Sequence, residues 1–306
     1  MEYVVVDRKH MKAAGIFWLV MLTGCGGSEV RSDAEAPKNR PEPECTSLLG
    51  RPLYAGKVNE ERLAAVDAKL SADPDNLNLL LEKGLLLEDA RQFTRAIALY
   101  SARLTKEPGN VTLLRSRGHR YINVRKHAAA IADLKRAASL HTFEKVQSLG
   151  YKSNLHWAIW YYLGLAHALD GDLEAALSAF RKSHTYSADK TSLLASTNWI
   201  HNLLRRLDRP KEASEIIAPV KEGMGYSGNY YKNILVYKGV KKESDVFNEA
   251  TARGFVLGTM GYGMANWRRA NGDVEGADRL LRKVANAMSW HSNGVMAAEA
   301  ELARRK

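Results

Sequence analysis

The sequence predicts an all-α protein built from stacked helix pairs, and three observations carry that expectation. First, residues of like kind recur 34 positions apart: Gly84 and Gly118, Ala96 and Ala130, Tyr100 and Leu134, Pro74 and Pro108. A fixed period of this length marks arrays whose units are too small to bury an apolar face alone and so stack on their neighbours. Second, apolar segments are joined by the turn signals Asp170-Gly171-Asp172 and Asn271-Gly272-Asp273, where Gly ends one helix and Asp caps the next. Third, 45% hydrophobic and 26% charged residues sit at the globular average and exclude wholesale disorder. Two cysteines cannot build a disulfide framework or a Cys-rich zinc module. In such an array the 306 residues count repeats, not the pair of domains that length alone suggests.

At the N-terminus, Lys12 is followed by ten apolar-run residues, Ala13 to Leu22. That is the length of a signal-peptide core and falls short of the ~20 residues of a membrane-spanning helix. The run ends in Leu22-Thr23-Gly24-Cys25, which resembles the lipobox of bacterial lipoproteins. The resemblance implies a signal peptide over residues 1–24, cleavage before Cys25 and fatty acylation (diacylglyceryl, palmitate) of its thiol as a membrane anchor. Each buried CH₂ contributes about 0.8 kcal/mol, so two or three chains hold where one anchors marginally. It further implies a place in the bacterial cell envelope. Gly26, where Asp would retain a lipoprotein in the inner membrane, points to the outer membrane facing the periplasm. Residues 1–10 fit no signal start, because Val4 to Val6 and Asp7 precede the basic pair, so Met11 is the expected start. Residues 25–52 are polar and carry Pro37, Pro41 and Pro43, the composition of a flexible tether. With Cys25 modified, Cys45 has no intrachain partner and is a free thiol or an intermolecular disulfide site.

The array is expected over residues 53–306. NEERLAAVDAKLS, residues 59–71, reads as the second helix of an incomplete first unit. Units built on Gly84 and Gly118 follow, and the third reads WYYLGLAHALDGDLEAALSAF from Trp160. Its Trp160, Leu163, Gly164, Gly171, Ala176 and Phe180 match the tetratricopeptide repeat pattern, with His167 where Tyr is usual. Over most of residues 57–306 the chain thus resembles a tetratricopeptide repeat (TPR) protein. The resemblance implies an α-solenoid, a right-handed superhelix of helix pairs, with about five units plus capping helices. Glycines 84, 118 and 164 leave room where helix A meets helix B; Ala96, Ala130 and Ala176 do so from helix B. Residues 198–220 form a weaker unit with Ala213 and Ile217 in register, and 229–252 a degenerate pair. The last unit carries Ala277 and Leu281, and the terminal MAAEAELARRK reads as a capping helix with a polar face. The step from the second unit to the third is 46 residues, placing an inserted loop around His141 to Asn154.

No residue pattern speaks for an enzyme, a cofactor or a metal. Gly223 to Gly228 fits G-x-G-x-x-G but follows a helical segment with no strand before it, so it is a helix exit. The nine histidines include no H-E-x-x-H and no Cys/His pair at zinc spacing. In the family the first helices line a concave groove. The register set by Gly84, Gly118, Gly164, His201 and Ala265 puts Arg115, His119, Asn123, Tyr161, Asn198, Asn202, Arg205, Arg206, Tyr262, Asn266 and Arg269 on that wall. Glu88 and Asp89 make its first end acidic. Asn offers donor and acceptor to an extended chain, and Arg forks a carboxylate; these positions resemble the family's carboxylate clamps. The chain carries +11, and removal of residues 1–24 lowers this only to +10, with cations clustered at 115–126, 205–211 and 279–283. No nucleic-acid-reading motif accompanies them. The expected function is therefore a non-catalytic envelope scaffold or adaptor that binds a protein or peptide partner, acidic in character, in its groove, with the membrane contacted through the lipid. Pilus, secretin, outer-membrane assembly and cell-wall roles are not distinguished. The alternative is a binder of anionic cell-wall or surface polymer through basic patches.

Overall fold

A computed structural model describes residues 42–140 and 155–305. Cys25 with its lipobox, most of the expected tether and the insertion at 141–154 lie outside the described residues. The elements belong to one unit, Pro43–Lys306, and are almost wholly helical.

A short antiparallel hairpin comes first, β1 (Cys45–Thr46) with β2 (Pro52–Leu53). The tether expected up to residue 52 therefore ends earlier, because Leu53 is buried in a small core with Phe93, Val124 and Trp290. Apolar burial of this kind outweighs the Pro-rich composition that suggested a free chain.

Helix α1 (Glu60–Ala72) precedes two well-matched pairs, α2 (Leu77–Asp89) with α3 (Phe93–Lys106) and α4 (Val111–Asn123) with α5 (His127–Leu140). Then come α6 (Leu155–Asp170) with α7 (Leu173–Thr185) and α8 (Lys190–Arg206) with the short α9 (Pro210–Ile217). Helix starts are capped by side chains: Asn59, Asn76, Asn110, Asp172 and Asp189 each accept from the backbone N–H three residues on. Asn76 and Asn110 stand one 34-residue period apart, as the repeat requires.

Each pair turns through one residue with left-handed backbone: Arg91 (φ 59°), Arg125 (φ 63°), Gly171 (φ 102°) and Asp208 (φ 55°). Three of these carry a Cβ, at a cost of about 1–2 kcal/mol each. Consecutive helices pack on one another throughout. The small residues act as expected: a Cβ on Gly164 would stand 2.7–2.9 Å from the Phe180 ring, and one on Gly118 2.8 Å from Leu134 Cγ. On Gly84 it would run into the Tyr100 side chain. Ala96, Ala130, Ala176, Leu134 and Phe180 are fully buried.

The C-terminal third is less regular. Helix α10 (Asn229–Tyr237) is followed by the single turn α11 (Glu243–Val246), and α12 (Gly254–Val256) continues through a π-helical turn (Leu257–Gly261) into α13 (Tyr262–Ala270). Helix α14 (Val274–Ala285) pairs with α13 across Gly272 (φ 92°) and is capped by Asp273. The final helix α15 (Asn293–Ala303) departs from the sequence reading. Instead of a cap with a polar face, Gly294 to Leu302 are all buried, including Glu299 and Glu301. Besides α14, α15 packs on α6, α13 and the π-helical turn. Two carboxylates tolerate this position because Arg125 and Arg51 face Glu299, and Arg305 and Arg206 face Glu301.

Candidate functional site

The positions expected on the wall do come from the first helices of successive pairs, and α15 lies against them. Asn123, at the end of α4, donates from Nδ2 to His291 O (3.2 Å) and approaches Met296 Sδ (3.9 Å). The Tyr161 hydroxyl on α6 accepts from Asn293 Nδ2 (3.3 Å) and from Trp199 Nε1 (2.9 Å), and exchanges a bond with Tyr230 (3.1 Å). Arg206 on α8 pairs with Glu301 at 3.8 Å and donates to the Tyr262 hydroxyl at 3.1 Å. Arg125, in the turn after α4, forks onto Glu299 (2.8 and 3.1 Å), gives a further bond to Trp290 O (2.9 Å) and covers the Trp290 ring. Arg51 of the hairpin adds a second cation to Glu299 at 3.8 Å and donates to the carbonyls of Ala285, Asn286 and Ala287. Burial raises the Glu299 carboxyl above its ordinary pKa, and Arg125 opposes that shift.

Asn123, Tyr161 and Tyr262 thus face the protein's own last helix or its neighbours and are buried. Arg115 is buried as well; His119 stacks on Tyr162 at 3.7 Å and accepts from Arg120, and burial, then the Arg120 and Arg115 charges, hold its pKa well below 6.5. Glu88 accepts from the Tyr100 hydroxyl (2.8 Å) and pairs with Arg120 (3.4 Å). Arg269 is taken by Asp278. Asn198 accepts from Asn233 and Tyr237 inside the core.

A second group remains together in a cleft between α8, α9, α10 and α13. His201, Asn202, Arg205, Tyr237, Asn266 and Trp267 line about 390 Å³ of space, part of it open to solvent. His201 Nδ1 bonds Ala213 O at 2.9 Å and its ring stacks on Tyr237 at 4.5 Å. Burial pulls its pKa down to about 4, so it is neutral at pH 7 and donates through Nδ1, leaving Nε2 as an acceptor. Asn266 Nδ2 is returned to Tyr262 O (2.8 Å). Asn202 Nδ2 is buried near the Tyr237 hydroxyl without a hydrogen bond of good geometry. Arg205 donates to Ala270 O (2.8 Å) and has no carboxylate partner among the described residues. The cleft therefore holds a cation without a carboxylate partner beside a buried amide, groups whose chemistry suits a carboxylate or backbone carbonyl acceptor. Tyr237 and Trp267 were not singled out from sequence; the aromatic pair α10–α13 has no repeat signature to mark it.

Two of the three basic clusters are partly neutralised within the chain. Arg117 pairs with Asp133, Arg120 with Glu88, Arg125 with Glu299, Arg206 with Glu301, Arg209 with Glu174 and Glu212. Cys45 is a half-buried free thiol whose Sγ faces Asn123 O, and burial lifts its pKa to about 11. No helix among the described residues is long and apolar enough to cross a membrane. In comparisons with known proteins, no family model matches the chain and no curated protein matches it.

Proposed function

We propose that this chain is a TPR-type α-solenoid, lipid-anchored at Cys25 in the bacterial cell envelope, that serves as a non-catalytic scaffold for a protein partner. One observation carries the reading: Asn123, Tyr161 and Arg206, from the first helices of three successive pairs, all meet the segment 291–301 through their side chains. The recurring Gly–aromatic and Ala contacts and the left-handed turn residues at equivalent positions support the repeat architecture. Acidic groups of a partner are received at the cleft beside the wall, by Arg205 and the Asn202 amide. The intrachain ion pairs of Arg117, Arg120, Arg125, Arg206 and Arg209 favour this reading over the alternative of an anionic polymer held on basic patches, since they neutralise part of two of those patches.

Crosslinked pull-downs from a membrane fraction test the proposal. A distinct protein partner is expected with the intact chain, and Asn202→Ala with Arg205→Ala removes it. Retention of every partner by the double variant refutes the cleft, and capture that collapses with salt in proportion to total charge favours the polymer. For the anchor, Cys25→Ser abolishes palmitate labelling; persistent labelling overturns the lipobox.

A further inference from the structure

Arginines of two cation clusters pair with carboxylates inside the chain, whereas those of the third, at 279–283, do not. On α14 the apolar Ala277, Leu280, Leu281 and Val284 are buried. At 100° per residue, Arg279, Arg282 and Lys283 fall together on the opposite face, within about 100° of one another. Arg279 and Arg282 are exposed and have no carboxylate partner among the described residues. The acids nearest to them in sequence are Asp278, taken by Arg269 and Arg305, and the exposed Glu275 in the first turn of α14.

Apolar side chains stand exposed beside this face. Lys283 Nζ donates to Glu249 O, which brings the segment before α12 against α14; the Glu249 carboxylate itself is engaged by Arg268 at 2.9 Å. Arg253 follows, exposed, with Nη1 on the carbonyls of Ala250 and Ala252. Phe255 and Val256 are then 46% and 42% exposed. The Phe255 ring lies edge-on to His291 at 5.2 Å, beside the link from α14 to α15, and in that link Met288 is 83% exposed. Arg51 of the hairpin closes the same edge through the carbonyls of Ala285, Asn286 and Ala287.

Single exposed apolar residues are ordinary, but three gathered beside unpaired cations mark a binding surface. Apolar side chains that enter the acyl boundary, with cations that meet the phosphates, are what an anionic membrane surface binds. The chain also reaches the fold at this edge: residues 26–42 join Cys25 to the hairpin and span about 60 Å at most. We propose that the face formed by α14, Arg253 to Val256 and Met288 docks on an anionic lipid bilayer, with Phe255, Val256 and Met288 at the acyl boundary and Arg253, Arg279 and Arg282 on the lipid phosphates. This rests on the lipid-anchor part of the reading above and adds which side of the array faces the membrane. Anchor and face then act as two linked signals, each sufficient only for weak binding alone.

Vesicle co-sedimentation tests the face on the full chain carrying Cys25→Ser, so that no acyl chain contributes. The protein binds vesicles of phosphatidylglycerol and phosphatidylethanolamine, and vesicles of phosphatidylcholine at least tenfold more weakly. Arg253→Gln, Arg279→Gln and Arg282→Gln together weaken binding to the anionic vesicles at least tenfold. An equal loss of charge at exposed positions of α1 and α9, by Arg62→Gln, Lys69→Gln and Lys211→Gln, changes it less than twofold. Met288→Ser, at a side chain too exposed to carry the fold, weakens it at least threefold with the far-UV circular dichroism unchanged. Absence of binding to the anionic vesicles, equal loss in the two charge variants, or full affinity of Met288→Ser overturns the proposal. For orientation, a dye on Met288→Cys in a chain that also carries Cys45→Ser is quenched by lipids labelled in the upper acyl chain, and a dye on Lys69→Cys is not; equal quenching of the two refutes it. Palmitate labelling at Cys25 reports the anchor separately, so either can fail without the other.

Discussion

Replacement of Gly164 by Ala isolates the contact on which the stacked architecture depends. Gly164 lies in the middle of α6, where Ala is the better helix former by about 1 kcal/mol. Its new methyl would stand 2.7, 2.8 and 2.9 Å from three carbons of the Phe180 ring. The ring has nowhere to go: it is fully buried, stacked on Trp199 at 5.4 Å with planes 4° apart, and edge-on to Tyr161 at 5.3 Å. Overpacking of this kind costs about 3 kcal/mol, so after the propensity gain the net loss is about 2 kcal/mol. With a urea m-value of about 2–3 kcal/mol/M, the unfolding midpoint read by far-UV circular dichroism falls by about 0.7–1 M. In a Phe180→Ala background the clash is gone, and the same Gly164→Ala change should stabilise by about 1 kcal/mol. The double-mutant cycle therefore reverses the sign of the substitution. A neutral or stabilising Gly164→Ala in the otherwise unchanged protein would falsify the claim that this close approach of α6 and α7 is set by the missing Cβ.

Four further outcomes are expected. Arg91→Gly relieves a left-handed non-glycine residue and stabilises by about 1 kcal/mol, whereas Arg125→Gly relieves the same strain but strands the fully buried Glu299, for a net loss of about 3 kcal/mol; chemical denaturation of both checks this, and equal effects would refute the distinction. His201→Phe keeps the stack on Tyr237 and removes a group whose pKa is about 4 when folded and 6.5 otherwise. Because the folded pKa is depressed, the native protein loses stability as pH falls from 6.5 toward 4, and the variant should lose about 1.4 kcal/mol per pH unit less across that window. Glu299→Ala leaves Arg125 buried without its carboxylate and destabilises by about 3 kcal/mol or more, a loss that a melting curve reads directly. In a Cys25→Ser chain at pH 8, Cys45, raised from 9.0 to about 11, should alkylate about 100-fold more slowly folded than unfolded, as mass tagging over time will show.

The repeat was legible because it is local. Gly84, Gly118 and Gly164 each meet a residue 16 positions later on the partner helix of the same pair, so one 34-residue window contains both sides of the contact. The Asp172 and Asp273 caps and the left-handed Gly171 and Gly272 are legible for the same reason. Arg91, Arg125 and Asp208 occupy the equivalent turns without the glycine that advertises them, and only their position relative to the period marks them. The wall was legible as a set of positions but not as a surface, since a polar residue reads the same whether it meets water, a partner or a distant part of its own chain.

Helix α15 shows why that ambiguity cannot be resolved from the pattern. MAAEAELARRK looks solvent-facing because two glutamates in an Ala-rich helix have no cation within a turn except at its end. Arg305 meets Glu301 one turn on, but the remaining neutralising partners lie at Arg125, Arg51 and Arg206, from 95 to 248 positions back along the chain. The hairpin at 45–53 is hidden in the same way, since Leu53 is buried by Trp290. Each of these long-range contacts ends on residues 285–305, and each start lies in the hairpin or on a first helix or its turn. Residues 285–305 therefore tie the hairpin to the first helices through their side chains. The hairpin acts as a clasp on that segment through Glu299, because Arg51 of the hairpin and Arg125 after α4 both reach its carboxylate. Arg51→Ala should accordingly loosen α15 and speed its hydrogen exchange while leaving α6 unchanged; a uniform effect on both helices would show that the clasp supports the whole fold and not the seat of α15.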